Sequence, residues 1–104
     1  MRTDLFLGMA KPDGSMVSDT EFQRFIDSEL TPRFPDGFTV VPGSGQFKDA
    51  RGEIVREGTR VLIVLYPGET GQGSEAIEKV RVAYKAQYQQ ESVLRVDEES
   101  CVSF

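Results

Sequence analysis

The chain has 104 residues, and its 12 lysines and arginines against 17 aspartates and glutamates give a net charge of −5. It contains no histidine and one cysteine, which excludes histidine base catalysis, histidine metal ligation and an intrachain disulfide. The acidic balance disfavours nucleic acid as a partner, because phosphate contacts need clustered Lys and Arg. A length of roughly 100 residues predicts a single domain over residues 1–104.

Alternating apolar residues open the chain and predict its first strand. Leu5, Leu7 and Met9 recur at a period of two, which favours a strand over about residues 3–10. The segment Lys11-Pro12-Asp13-Gly14 is then typical of a type I turn, with proline second and glycine fourth.

A capping pattern at Ser18 predicts the start of the first helix. Ser18 and Glu21 are spaced as a capping box, and Val17 and Phe22 as a hydrophobic staple. The apolar stripe of this helix has the spacing i, i+3, i+4 and i+8, at Phe22, Phe25, Ile26 and Leu30. Because proline disfavours helical torsion angles in the residue before it, Pro32 predicts that the helix ends with this stripe.

A long hairpin is predicted over residues 38–66, after a second Pro-Asp-Gly turn at 34–37. Gly52 suits the left-handed position of a bulged turn, so the tip is predicted at residues 49–52.

Pairing outward from that tip gives the register of the hairpin. It places Phe47 opposite Ile54 and Gly43 opposite Gly58. Glycines at the same level in both strands predict a bent hairpin whose outer half, about residues 45–57, projects as an arm.

The most apolar run, residues 60–66, does not alternate. It therefore predicts a central strand with both faces covered. A glycine-rich loop follows at 68–73, and Ser74 is predicted to cap a second helix that ends near Gln90. The buried face of this helix is predicted to hold Ile77, Val80, Tyr84 and Tyr88.

A last strand at residues 93–96 completes the order β-α-β-β-α-β, and residues 101–104 either continue it or form a short fifth strand. Two right-handed crossovers that share a hairpin define an α+β fold, the ferredoxin-like sandwich. We expect a four-stranded antiparallel sheet with strands one and three in the centre and both helices on one face.

Several segments together resemble a known family. They are Thr31 to Gly37, Gly45-Gln46-Phe47, Arg56 to Thr59, Ala83-Tyr84-Lys85 and Gln90 to Val96. In this order, over nearly the whole chain, they resemble the bacterial domain of unknown function 3574 family. The resemblance implies the extent of the domain and its fold. It implies no activity, since the family has none established, and many of its members carry a secretory or lipoprotein leader.

No stretch approaches about 18 apolar residues, so no membrane span is predicted. The N-terminus lacks a basic region followed by an apolar run of signal-peptide length. We expect a cytoplasmic protein, or an exported one whose leader has been removed.

With both helices on one face, the opposite face of the sheet is predicted to be apolar. Either alternate set of the third strand is apolar, since these sets are Val61, Ile63 and Leu65, or Leu62, Val64 and Tyr66. Soluble monomers seldom expose such a patch. A homodimer that packs two sheets together would cover it, and so would a small apolar ligand. Leu62 and Val64 are candidates to line this surface.

Three further residues are candidates for ligand contacts. Arg33 could bind a carboxylate in a bidentate manner, or it could satisfy the carbonyls at the helix end or clamp the turn through Asp36. Tyr66 ends the central strand, where its hydroxyl could reach a pocket. Glu57 lies near the arm, and its alternative role is a cross-strand charge pair.

The remaining motifs favour structural roles. The spacing of Gly68, Gly71 and Gly73 matches neither the dinucleotide nor the P-loop pattern, so a plain connection is favoured. Cys101 has no histidine to activate it, and residues 97–99 lack the calcium-loop pattern. No metal site and no cofactor are predicted.

Two functions stay open. The first is a homodimeric, non-catalytic domain that binds a partner or a small apolar ligand on its open sheet face. The second is a small cofactor-free enzyme of the dimeric α+β barrel kind, an isomerase, cyclase or monooxygenase, in which Tyr66, Arg33 and Glu57 transfer protons and orient the substrate. An RNA-recognition module is disfavoured, because the third strand lacks aromatic platforms and the net charge is negative.

Overall fold

Strands and helices follow one another in the predicted order. The computed structural model describes all residues, 1–104. Its elements are β1 (Arg2–Gly8), α1 (Asp19–Phe25), a π-helical turn (Ile26–Leu30), β2 (Thr39–Lys48), β3 (Ile54–Leu65), α2 (Gln72–Tyr88) and β4 (Leu94–Glu98). The four strands form one antiparallel sheet in the order β2-β3-β1-β4, which confirms the ferredoxin-like α+β fold.

Residues 99–104 belong to no strand, so the expected continuation or fifth strand is wrong. Neither helix is long and apolar enough to cross a membrane.

Local side-chain chemistry starts helix α1 as predicted. The Ser18 hydroxyl accepts a hydrogen bond from the Glu21 amide, and the Glu21 carboxylate accepts one from the Ser18 amide, both at 3.1 Å. Val17 and Phe22 are both buried, as a hydrophobic staple requires.

The end of the first helix differs from a regular α-helix. The Thr31 amide donates to the Ile26 carbonyl at 2.9 Å, a bond over five residues that widens the last turn. Thr31 keeps helical torsion angles, so the expected effect of the proline on this residue is wrong. The helix nevertheless ends at Leu30, since Pro32 has no amide to continue the bonding.

The hairpin tip has the predicted bulged turn but contains one more residue. Gly52 adopts a φ of 83°, and its amide donates to the Asp49 carbonyl at 3.0 Å. The Asp49 amide then donates to the Glu53 carbonyl at 2.9 Å, so the loop closes at Glu53 and not at Gly52.

This longer tip shifts the register by one residue. Phe47 lies opposite Val55 and Gly43 opposite Thr59, so the predicted pairs with Ile54 and Gly58 are wrong. The pairing of β1 with β3 ends at Thr59, with one further bond from the Met9 amide to the Gly58 carbonyl at 3.0 Å. The hairpin continues beyond this point as a projecting two-stranded arm.

The helices cover one face of the sheet. In β3 the residues on this face are Leu62 and Val64, which are 0% and 1% exposed. They pack with Leu5 and Leu7 of β1 and with the predicted face of α2, formed by Ile77, Val80, Tyr84 and Tyr88. The expectation that Leu62 and Val64 line the open face is therefore wrong. The pairing of Leu62 with Leu5 sets which alternate residues of β3 point inward.

Helix α2 begins earlier than predicted. Its N-cap is Gly71, which adopts a φ of 76° that favours glycine. Ser74 lies inside the first turn, and its hydroxyl accepts a hydrogen bond from Arg95 at 3.0 Å.

Candidate functional site

A cleft of about 270 Å³ lies where β3 ends beside the start of α2. Its walls come from the turn at residues 33–37, the end of β3 and the first turn of α2. Two predicted candidates, Arg33 and Tyr66, line this cleft.

One nitrogen of the Arg33 guanidinium is bonded to its own helix end. Its guanidinium donates to the Glu29 carbonyl at 2.9 Å and forms an ion pair with the Glu29 carboxylate. The structure thus assigns it the predicted structural role at the helix carbonyls, with Glu29 and not Asp36 as the charged partner. Both bonds use Nη1, so Nε and Nη2 of Arg33 make no hydrogen bond within the chain.

Tyr66 contributes its ring to the cleft, while its hydroxyl is bonded elsewhere. The hydroxyl lies 2.6 Å from the Thr3 hydroxyl, which donates to the Asp97 carboxylate at 2.5 Å. Since Thr3 donates to Asp97, it accepts from Tyr66. The phenolic proton therefore points toward β1 and β4.

This chain of hydrogen bonds extends to α2 and is the main polar network of the fold. Arg95 donates to Asp97 at 3.0 Å, to Glu78 at 3.0 Å and to Ser74. The hydrogen bond from Thr3, and then that from Arg95, holds the pKa of the Asp97 carboxyl below its ordinary value. Thr3 is fully buried, so the network fixes the edge strand β4 to the core. In the sequence, this network is indicated only by the spacing of Arg95 and Asp97, which places both residues on one face of a strand.

The open face of the sheet carries three successive rows of residues that cross its strands. Following the register, the rows are Glu98-Arg2-Leu65, then Val96-Asp4-Ile63-Thr39, then Leu94-Phe6-Val61-Val41. The third row is apolar on all four strands. Four apolar side chains of this face are between 42% and 59% exposed, namely Val41, Leu65, Leu94 and Val96. An antiparallel sheet that faces water would instead present polar residues here.

Glu57 lies on the same face, where the arm leaves the sheet. Its Oε2 accepts a hydrogen bond from the Ala10 amide at 2.8 Å, so the expected cross-strand charge pair is not its contact. Its Oε1 lies 2.5 Å from the point that a Cβ on Gly8 would occupy, and the Gln90 Oε1 lies 3.1 Å from that point. An open depression of about 540 Å³ adjoins Glu57, lined by Ser44, Gly45, Gln46, Arg56 and Gly58.

The predicted candidates therefore occupy different places. Arg33 and Tyr66 share the cleft, whereas Glu57 lies nine residues before Tyr66, about 30 Å along an extended strand. Gln90 and Thr3 were missed, and neither has a local signal. Gln90 follows the end of α2 as an ordinary polar residue, and Thr3 gains its role only through strands that are distant in sequence.

The fold and this uncovered face define a ferredoxin-like α+β domain with an apolar open sheet. A family model described as "Protein of unknown function (DUF3574)" matches residues 2–104. The chain belongs to this family, as the sequence segments indicated. Among curated proteins, none matches the chain in sequence.

Two solved structures share the fold at low sequence identity. A phage SAM lyase in complex with S-methyl-5'-thioadenosine superposes with a TM-score of 0.73 at 17% identity, over 90% of this chain and 76% of that chain. A phage SAM lyase in the apo state superposes with a TM-score of 0.70 at 14% identity, over 90% and 75%. At these identities the likeness is one of fold.

Proposed function

We propose that the protein is a homodimeric, non-catalytic binding domain in which the open faces of two sheets pack against each other. The observation that carries this proposal is the apolar row Leu94-Phe6-Val61-Val41, which crosses all four strands on a face that no helix covers. Burial of such a row removes apolar area from water at about 25 cal/mol per Å².

The charges on this face are compatible with burial between two copies. Arg2 pairs with Asp4 at 2.9 Å and with Glu98 at 3.7 Å, so the guanidinium already has partners within one chain. All three residues lie in the two rows farthest from the arm. They would form a polar rim along one side of the apolar row, and polar rims are usual in protein interfaces.

The area of the face indicates how much of it a dimer would use. With strands about 4.8 Å and rows about 6.7 Å apart, the three rows project over about 400 Å². A standard interface takes about 800 Å² from each partner. The interface would therefore extend onto the arm, whose same face carries Phe47 and Val55 as a cross-strand pair.

A pair of matched variants tests this proposal. Val61→Lys places a charge at the centre of the apolar row, and Val82→Lys makes the same change on α2 at a residue that is 63% exposed. Light scattering after size exclusion should give a dimer for the wild type and for Val82→Lys, and a monomer for Val61→Lys. A monomeric wild type, or a Val61→Lys variant that still dimerises, would contradict the proposal.

A second candidate, a small cofactor-free enzyme, is favoured by the likeness of fold to the phage SAM lyases. Within one chain Arg33 and Tyr66 lie far from Glu57, so only an assembly of copies could bring the three residues to one substrate. Incubation with SAM, followed by chromatography for S-methyl-5'-thioadenosine, distinguishes the candidates. S-methyl-5'-thioadenosine formed above the level of a protein-free control would favour the enzyme if Glu57→Gln abolishes its formation and Glu53→Gln retains it. No formation would favour the non-catalytic domain.

A further inference from the structure

Two hydrogen-bond acceptors converge above Gly8 on the open face. The distances to the Cβ position of Gly8, 2.5 Å from the Glu57 Oε1 and 3.1 Å from the Gln90 Oε1, place both oxygens beside the same point. The two residues come from β3 and from the segment after α2, so the fold and not the sequence brings them together.

The backbone fixes the orientation of both side chains. The other carboxylate oxygen of Glu57 accepts from the Ala10 amide at 2.8 Å. The Gln90 Nε2 donates to the Ala10 carbonyl at 2.8 Å and to the Tyr88 carbonyl at 3.0 Å. Because those two partners are acceptors, the amide group cannot be turned around, and its oxygen must face Gly8.

The two converging oxygens make no hydrogen bond within the chain, and no buried side-chain oxygen or nitrogen lacks a partner. Both oxygens are therefore accessible from outside. A donor placed between them would bond to both, and the charge of the Glu57 carboxylate favours a cationic one. A hard metal ion requires more oxygen ligands than these two, and no group of three or more His, Cys, Asp or Glu residues is placed to hold a metal ion.

The surroundings specify the rest of the ligand. Gly8 and Gly43 flank Thr59 in one row across the sheet, so the floor beside the acceptors carries little side chain. One row away, at about 6.7 Å, lie Phe6 and Val61 of the apolar row. The molecule that fits has a donor group at one end and an apolar or aromatic body of about this length at the other.

We propose that Glu57 and Gln90 form a binding site for a primary ammonium group carried on a short apolar or aromatic body. The ammonium donates to both oxygens above Gly8, and the body lies on Phe6 and Val61. The absence of a side chain at Gly8 lets the two oxygens approach the strand at this point. Both acceptors belong to one chain, so a monomer holds the whole site. The proposed dimer buries Phe6 and Val61, so the ligand body and a second copy compete for this face.

Benzylammonium is a suitable probe, with benzyl alcohol as its neutral analogue. In ¹⁵N-labelled protein, benzylammonium should shift the side-chain amide of Gln90 and the backbone amides of Gly8 and Ala10, with the millimolar affinity expected of a fragment. Benzyl alcohol should bind at least tenfold more weakly. The titration is made at a concentration where light scattering gives a monomer, because the proposed dimer would cover the site. Equal binding of the two compounds, or no shift at these residues in the monomer, would overturn the proposal without any variant.

Matched variants test whether benzylammonium binds at Glu57 and Gly8. Glu57→Gln replaces one acceptor by a donor and should weaken benzylammonium binding at least tenfold. Glu53→Gln removes the same charge from an exposed residue of the arm tip and should change it less than twofold. Gly8→Ala should abolish binding, because the new methyl group would displace the Glu57 carboxylate, whose Oε1 lies 2.5 Å from its position. Binding to Glu57→Gln with wild-type affinity would refute the site.

Discussion

Replacing Thr3 by valine tests whether the polar network holds the edge strand β4. Valine has the same shape but cannot bond to Asp97 or Tyr66, which lie 2.5 Å and 2.6 Å from the Thr3 hydroxyl. A hydrogen bond to a charged group contributes about 1.5–3 kcal/mol. Because the Asp97 side chain is 42% exposed, water replaces the lost hydrogen bond, and the contribution lies at the lower end of this range. The lost bond to the Tyr66 hydroxyl adds a few tenths of a kcal/mol, so we expect the free energy of unfolding to fall by about 2 kcal/mol.

The penalty should depend on pH in a definite direction. The folded chain lowers the pKa of Asp97, so the stabilisation is present above the ordinary carboxyl pKa of the unfolded chain, about 3.9, and is lost as the pH falls through the folded value. Because Thr3→Val removes the first cause of this shift, its penalty should be complete at pH 7 and should shrink below about pH 4.

Urea denaturation at one protein concentration measures this effect, since a dimer makes stability depend on concentration. Thr3→Ser is the control: it keeps the hydroxyl and loses a buried methyl group, at about 1 kcal/mol independent of pH. A Thr3→Val variant within about 0.5 kcal/mol of the wild type, or one with the same penalty at pH 7 and below about pH 4, would show that the Thr3 hydrogen bonds do not hold β4.

Three other stability predictions can be measured by the same denaturation assay. Ser18→Ala removes the capping box and should cost about 1 kcal/mol; no loss would mean that the box is not needed to start α1. Phe25→Ala opens a cavity at a fully buried ring and should cost about 3–5 kcal/mol, whereas Val82→Ala on the exposed face should cost less than about 0.5. Gly52→Ala forces a side chain into a φ of 83° and should cost about 1–2 kcal/mol; an unchanged midpoint would contradict the bulged tip.

Local chemistry made much of the fold predictable. The capping box at Ser18, the turn glycines and the apolar stripe of α2 act within a few residues, so the sequence contains their cause directly. The alternation in β1 likewise decides its buried face. These elements and their order lead to the ferredoxin-like fold without a choice between alternatives.

Features that depend on distant pairing could not be predicted. In β3 every residue from Val61 to Leu65 is apolar, so only the register with β1 decides that Leu62 points inward. The hairpin register depended on whether the loop closes at Gly52 or Glu53, a difference of one residue. The π-helical turn at the end of α1 has no distinct sequence pattern.

The contacts of the candidate site residues could not be predicted either. Arg33 and Tyr66 could be proposed as polar groups at the ends of elements, and they do share a cleft. Their hydrogen bonds to Glu29 and Thr3 follow from side-chain directions that the sequence does not reveal. The approach of Glu57 and Gln90 over Gly8 depends on three separate segments and is visible only in the structure.

Intermolecular contacts at the open face decide whether two copies pack through their sheets. In a mixture of ¹³C-labelled and unlabelled chains, isotope-filtered nuclear Overhauser spectra detect protons of one copy close to methyl groups of the other. The proposed dimer predicts such signals at the methyl groups of Val61 and Ile63, with the Phe6 ring of the second copy among their sources. A dimer whose intermolecular signals come only from helix residues such as Val82, or a chain that shows no such signals at all, would contradict the account.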